Sequence, residues 1–456
     1  MNSLLAISSL KLVLLALVAL LAVVIWRYSA TALAGEQDKL RFMRALALTL
    51  TATVFTLLSN HLLLFWLGWC WISLSLQQLL LFYPERPRAQ LAAHKKALSA
   101  RAGEILLAGA FILLYIEFGT AEISDIVSQA SGQHYSLSLY GHVATVLLVL
   151  VALIKCAQLP LHGWLIQVVE APTPVSALLH AGIINLGGIL LLLFSPLLKL
   201  SAAAAVLLLV TALISTVLAA LIMTTRISIK VRLAWSTIAQ MGLMLVEIAL
   251  GLYTLALLHL LAHSCYKAYA FLHSGNAVNH YLAAQLAGQT EPQARHWLLA
   301  LLVTSALVIL AHQILPLSSL SSAVLLVLAV TVLLMPSLAR ADSRRPLRVM
   351  LAVAYGVGLL ALYSSGKYML QPIAPTTQVF STWADVFTSL VFAGLFVMAV
   401  LLRYHSRHRA VNRVFIWLNA GGYLDEWATR VTLKIWPYHN KTSVKTSNLS
   451  QAESLK

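Results

Sequence analysis

The sequence is short of charge. Only 10% of its 456 residues are Asp, Glu, Lys or Arg, against about 25% in a soluble domain. With 60% hydrophobic residues and a mean hydropathy of +0.85, that deficit excludes a soluble globular protein and implies a polytopic membrane protein. Cysteine is also scarce. Cys70, Cys156 and Cys265 lie in apolar helical runs and form no spaced pair, which excludes a disulfide framework or a zinc knuckle. Carboxylates are outnumbered, 15 Asp and Glu against 31 Lys and Arg. The resulting net charge of +16 does not mark a nucleic-acid binder. The basic residues fall in short loops and the tail, where they set topology.

What the sequence has is long apolar runs. A membrane span needs about 20 apolar residues. The expected fold is all-α, with about thirteen spans: 4–26, 42–58, 61–83, 101–118, 141–170 (broken at Pro160), 174–194, 201–223, 231–250, 253–277, 297–316, 320–338, 347–364 and 384–403. Ala32-Leu33-Ala34 resembles a cleavage site, but Arg27 follows the first run instead of preceding it, so that run reads as a retained span. Basic residues follow the odd-numbered spans: Arg27, Lys39 and Arg41; Arg86, Arg88, Lys95 and Lys96; Arg226 and Lys230; Arg340, Arg344 and Arg345; Arg403, Arg407, Arg409 and Arg413. The other side has Lys199, Lys367 and the acidic stretch Glu117–Asp125. Basic loops mark the cytoplasm, which puts the amino end outside and the carboxyl tail inside. Residues 404–456 form no span. Trp417, Trp427 and Trp436 are spread through a basic segment divided at Gly421-Gly422, as in an amphipathic helix on the membrane surface or against a partner. The last fifteen or so residues are polar and expected to be disordered.

The stretch from Lys155 to Asn185 stands out. Lys155 ends an apolar run, and Pro160, Pro172 and Pro174 interrupt the apolar segment between it and His180. A charge deep in hydrocarbon is costly and marks a functional site by default. Pro160 removes a backbone donor, and a broken helix at membrane depth is tolerated only in protein or beside water. This is the construction of an ion-translocating site; the alternative is a lysine that snorkels from a helix end.

Glu104, three residues after Arg101, offers a counter-ion for Lys155 or a helix-end carboxylate among headgroups. His259, His263 and Lys267 stand at i, i+4 and i+8, on one helical face. Such a row passes protons through intervening water. A metal site, or histidines bonded to neighbouring helices, are the other readings, and no third metal ligand is evident. Lys230 is either a pathway member or a topology anchor.

Lys155-Cys156-Ala157-Gln158-Leu159-Pro160-Leu161 and Ala171-Pro172-Thr173-Pro174-Val175-Ser176-Ala177-Leu178-Leu179-His180 resemble the signature of the antiporter-like subunits of respiratory NADH dehydrogenase and multi-subunit cation/proton antiporters. His259 to Lys267, Arg101 to Glu104, and Ile229 to Thr237 are similar to further motifs of that family. The resemblance implies two inverted five-helix repeats, with Lys155 as the central protonatable lysine of the first and His180, His259, His263 and Lys267 on the hydrophilic axis. It divides the chain into 1–41 (first span and basic loop), 42–194 (first repeat), 195–338 (a reduced second repeat), 339–403 (additional spans) and 404–456 (tail). Two departures stand out. Gly68-Trp69 is followed by Cys70 where the family carries glutamate. The second-repeat echo, Ala311 to Leu317, has His312 as its one titratable group.

The shortened form, with Glu170-Ala171-Pro172-Thr173-Pro174 and the closing Asn419-Ala420-Gly421-Gly422-Tyr423-Leu424-Asp425-Glu426, resembles the membrane subunits of DAB-type inorganic carbon pumps. That resemblance implies a bacterial inner-membrane location and a cytoplasmic partner like DabA, a peripheral zinc protein resembling β-carbonic anhydrase. Ion flux would energise CO₂ hydration there. This chain has no zinc set or Asp/Arg dyad for that chemistry, so it is expected to carry no cofactor and not to be the enzyme. The competing functions are a proton-pumping subunit of a respiratory dehydrogenase or hydrogenase, a cation/proton antiporter subunit, and a membrane scaffold. H⁺ is favoured over Na⁺ because the polar groups are cationic and no carboxylate cage is visible.

Overall fold

The computed structural model describes residues 4–132, 134–277, 279, 282–283, 293–314, 319–339, 345–375, 381–405 and 408–437. Among them the regular structure is helical, with only isolated bridges, Leu5 to Ser59 and His61 to Glu122. Helices are the natural solution in lipid, because every backbone hydrogen bond closes within the segment. In chain order they are α1 Ser9–Ala32, α2 Lys39–Leu58, α3 Leu62–Leu80, α4 Pro87–Phe118, α5 Ile123–Ala130, α6 Leu139–Lys155, α7 Gly163–Gln167, α8 Thr173–Ala181, α9 Leu186–Leu193, α10 Ser195–Leu200, α11 Ala202–Thr224, α12 Ile229–Ala249 and α13 Tyr253–Leu272. The remaining helices are α14 Ala294–Ile314, α15 Leu320–Ala339, α16 Arg345–Leu370, α17 Thr382–Tyr404, α18 Arg409–Asn419 and α19 Leu424–Ile435. Among the described residues eleven segments are long and apolar enough to cross a membrane, α8 and α9 counting as one; Leu139–Lys155 and Leu320–Met335 are shorter apolar helices.

α1 runs to Ala32 and α2 starts at Lys39, so Arg27, Lys39 and Arg41 are helical. Two differences from the sequence reading are larger. α4 begins at Pro87 and runs 32 residues to Phe118, so Lys95 and Lys96 are helical and buried, not loop residues. Their stretch is rich in Ala and Leu, strong helix formers, and Pro87 sits at the helix start, where its missing N–H costs nothing. Charge alone suggests a loop. The run 174–194 is interrupted as well. α8 stops before Gly182, Ile183–Asn185 form a 3₁₀ turn, and α9 resumes at Leu186.

The interrupted pillar α8–α9 is the centre of the molecule. In its most apolar stretch 94% of residues are buried, against 12% in α16. α4 packs along α6, α2 along α3, α11 along α12, and α13 against α8. The far end of α4 also fastens α6. The Glu117 carboxylate accepts from the backbone N–H of Ser138 at 2.9 Å and of Gly141 at 3.1 Å, and from the Ser138 hydroxyl. The tail does not extend away from the bundle. α18 and α19, joined through Gly421 and Gly422 at positive φ, fold back onto α4, α7 and α11. The last fifteen or so residues, expected to be disordered, fall within 438–456, which lie outside the described residues.

Candidate ion-translocation site

Lys155 is the last residue of α6. Beyond it the chain breaks. Ala157 has φ 50°, the Leu159–Pro160 peptide is cis, and α7 restarts at Gly163. Side chains take up the freed backbone groups. Gln158 donates to the carbonyls of Cys156 (2.9 Å) and Ile238 (3.3 Å), and the Leu159 N–H donates to Ser215 Oγ at 3.1 Å. These substitutions make an interrupted helix tolerable in a low-dielectric interior.

The Lys155 ammonium stands 4.5 Å from the centroid of the Trp69 ring, in cation–π contact. It faces a cavity of about 30 Å³ that Lys96, Ser73, Ser99 and Trp164 also line. That is room for one or two waters. Lys96 enters from α4 and donates to the Ser73 carbonyl at 2.5 Å. Glu104 is also buried, but its ion pair is with Arg101, at 2.8 Å and one turn earlier, not with Lys155. Helical i,i+3 spacing brings these two together.

A second polar cluster lies beyond the pillar. His180 Nδ1 meets Thr237 Oγ1 at 3.1 Å, and the Thr237 hydroxyl donates to the Leu233 carbonyl at 2.9 Å. Lys267, fully buried, donates to the same carbonyl at 3.1 Å. His180 and Lys267 therefore share one short hydrogen-bonded bridge. His263 is buried and neither ring nitrogen has a protein partner. His259 lies 6.1 Å from it between ring centroids, with Nδ1 at 3.0 Å from Glu247 Oε2 and Nε2 at 2.9 Å from Gln240 Oε1. Buried polar atoms left without protein partners, His180 Nε2 and both nitrogens of His263, are places for bound water in such an interior. Glu247, His259, His263, Lys267 and His180 thus place a row of titratable side chains in the interior.

The two clusters meet at the break in the pillar. Ile183 lines the Lys155 cavity, while Asn185 donates to Ser264 Oγ at 2.8 Å, one turn before Lys267. Pro172 and Pro174 initiate α8 instead of breaking it. Lys230, at the start of α12, donates to Thr173 Oγ1 at 3.1 Å, at the mouth of the pillar. His312 is exposed in the last turn of α14 and does not line the Lys155 cavity. The rest of its motif, 315–317, lies outside the described residues. Among the described residues no three His, Cys, Asp or Glu side chains converge as metal ligands.

Three participants are not among the residues singled out from the sequence. Glu247 is a lone carboxylate in an apolar run, the criterion that singles out Lys155, and is legible on that ground. Lys96 is hidden by its basic neighbours. Gln240 carries no signal.

Residues 59–291 match the family of transmembrane subunits described as NADH:quinone oxidoreductase/Mrp antiporter. The chain is 48% identical over 437 residues to the "Probable inorganic carbon transporter subunit DabB" of Hydrogenovibrio crunogenus, covering 94% of this chain and 83% of that one. It is 35% identical to subunit DabB2 of Halothiobacillus neapolitanus, again over 94% of this chain and over 80% of that one. The NADH-quinone oxidoreductase subunit L of Escherichia coli is 32% identical over 60% of this chain and 45% of its own length. In fold, the chain is similar to a solved chain of the Mrp complex from Dietzia sp. DQ12-45-1b, with TM-score 0.60 and 19% identity, covering 99% of this chain and 55% of that one.

Proposed function

We infer that this chain, which belongs to the DabB inorganic carbon transporter subunits of the NADH:quinone oxidoreductase/Mrp antiporter family, is the ion-conducting subunit of an energy-coupled CO₂/bicarbonate uptake pump. H⁺ is the coupling ion of this reading, with Na⁺ the alternative. It moves down its gradient by way of Lys155 and the row His180, Lys267, His263 and His259, and drives CO₂ hydration in a DabA-like zinc partner resembling β-carbonic anhydrase on the cytoplasmic face. The chain sits in a bacterial cytoplasmic membrane with its amino end outside. Residues 42–194 and 195–338 serve as the two repeats. The observation that carries the conducting role is the buried set of ammonium and imidazole groups around the interrupted pillar. Lys267 is 0% and His263 5% exposed, and the two lie on one helix face. Hydrocarbon does not hold such groups without a use for them.

The folded-back tail is the docking element of this reading. It exposes Tyr423, Trp427 and Ile435 while gripping α4 and α7, the helices beside Lys155.

The test is growth in air of a strain lacking carbonic anhydrase, rescued by this chain with its partner. Lys155→Met should abolish rescue at normal membrane expression. Rescue by that variant, or rescue indifferent to collapse of the membrane potential, would overturn the reading. The likeness to subunit L favours a second one, a proton pump for a respiratory dehydrogenase. Co-purification decides: a zinc protein supports the first, flavin or iron–sulfur subunits the second.

A further inference from the structure

At the end of the bundle opposite the tail, a cavity of about 1140 Å³ opens between the starts of α1 and α5, α10 and residues 372–375. Two lysines line it, Lys11 from α1 and Lys199 from α10. No Asp or Glu does so among the described residues. Its other polar groups are hydroxyls and an amide, from Ser8, Ser9, Ser124, Ser131, Ser195 and Asn60. The remaining wall is mostly apolar, with Leu192, Leu193, Leu200 and Ile373.

Lys11 is 5% exposed, and its ammonium donates to the Ser59 carbonyl at 2.9 Å. An ammonium has three donors, so this bond fixes the group and leaves two N–H bonds for a ligand. Lys199 stands 5.5 Å from the Tyr253 ring centroid, which orients it from the other wall. Topology does not account for these lysines. By the positive-inside rule this is the face where basic residues are disfavoured. Of the lysines found at it, Lys11, Lys199 and Lys367, two converge on one cavity. The first turn of α1 adds backbone N–H groups and the positive end of a long helix.

The shape selects the class of anion. A pocket for a small molecule holds roughly 300–1,000 Å³, so a bare oxyanion would leave this one largely empty. A cationic, hydroxyl-lined region continuous with an apolar wall complements an anionic amphiphile. We propose that the cavity binds an anionic phospholipid, with Lys11 and Lys199 facing the phosphate and Leu192, Leu193 and Ile373 against the glycerol and acyl chains. Basic pockets between membrane helices on the cytoplasmic side hold lipid headgroups by the same pairing of ammonium with phosphate. The bound lipid ties α1 to α10 and to the segment after α16.

The test uses the full chain in a neutral detergent. Thermal midpoint and retained lipid, by native mass spectrometry, are read after adding phosphatidylglycerol, phosphatidylcholine, inorganic phosphate or bicarbonate. Phosphatidylglycerol should stay bound and raise the midpoint by about 2 °C or more, and phosphatidylcholine should not. Lys11→Met with Lys199→Met should cut retention about tenfold and remove the lipid-dependent rise. Should the double variant not fold, Lys199→Met alone should weaken retention and Lys199→Arg restore it. Equal stabilisation by phosphatidylcholine, or a lysine-free variant that keeps phosphatidylglycerol, overturns the site. A matching rise with phosphate or bicarbonate alone overturns the lipid and makes it a free-oxyanion site. None of these readings depends on transport.

Discussion

The Lys95 ammonium is held by both carboxylate oxygens of Asp425, at 2.8 and 2.9 Å, although 330 residues of sequence separate them. Thr429 Oγ1 takes a third bond at 2.6 Å, and Gln167 Nε2 donates to Asp425 Oδ2 at 3.2 Å. The His94 ring stacks on Trp436 with centroids 4.2 Å apart, and Arg226 donates to the carbonyls of Asn419 and Leu418 at the end of α18. Lys95 is buried and its neighbour Lys96 lines the Lys155 cavity. One peptide bond therefore separates the anchor of the tail from the wall of the Lys155 cavity.

Asp425→Ala should free the tail. It leaves a buried ammonium without its anion, a loss of about 1.5–3 kcal/mol for charged hydrogen bonds. Amide exchange across 409–435 should accelerate while the helices of the bundle keep their protection. Unchanged exchange in the tail would contradict the anchoring role.

Gly163→Ala should act through the same contact. A Cβ at Gly163 would collide with the Asp425 carboxylate. Its effect on tail exchange should match that of Asp425→Ala, and the double variant should add nothing further, as expected for residues sharing one interaction. Additive effects would mean separate contacts.

Lys96→Met should lower ion flux in proteoliposomes about tenfold, or roughly 1.4 kcal/mol in barrier, with expression intact. The cavity admits only one or two waters, and Lys96 is the second ammonium on its wall. Lys96→Arg should recover part of the flux. Flux equal to the parent in Lys96→Met would reduce this residue to a helix-packing role.

Glu247→Gln should also cost about tenfold in flux, because His259 loses the anion 3.0 Å from its Nδ1. Glu247→Asp should retain more. A full loss of folded protein in both variants, by size-exclusion chromatography, would instead assign Glu247 to stability.

Much of this site is legible in the sequence because hydrocarbon makes ionisable residues conspicuous. Lys155, His180, His259, His263 and Lys267 each stand out as polar groups inside apolar runs. What stays hidden depends on partners distant in sequence. Lys95 and Lys96 read as loop residues because nothing local shows that Asp425 and the Ser73 carbonyl receive them. The interruption at Gly182 contains no proline, so the run looks continuous. Glu104 looks available to Lys155 because the sequence does not show how far α6 stands from α4, whereas Arg101, one turn earlier on the same helix, pairs with it. The tail's return to the bundle rests on Asp425 and Trp436, whose contacts cross the whole chain.

The unbroken length of α4 has a mechanical consequence. Thirty-two residues make a rod of about 48 Å, longer than the roughly 30 Å hydrocarbon layer. It is tied to Asp425 near one tip and, through Glu117, to the head of α6 at the other. Between these ties α4 runs unbroken with no proline after Pro87, so a push on the tail should emerge as a tilt or slide of α4 and α6 together. A covalent staple joining those two helices should leave turnover untouched, whereas one joining α4 to α3 should stall it.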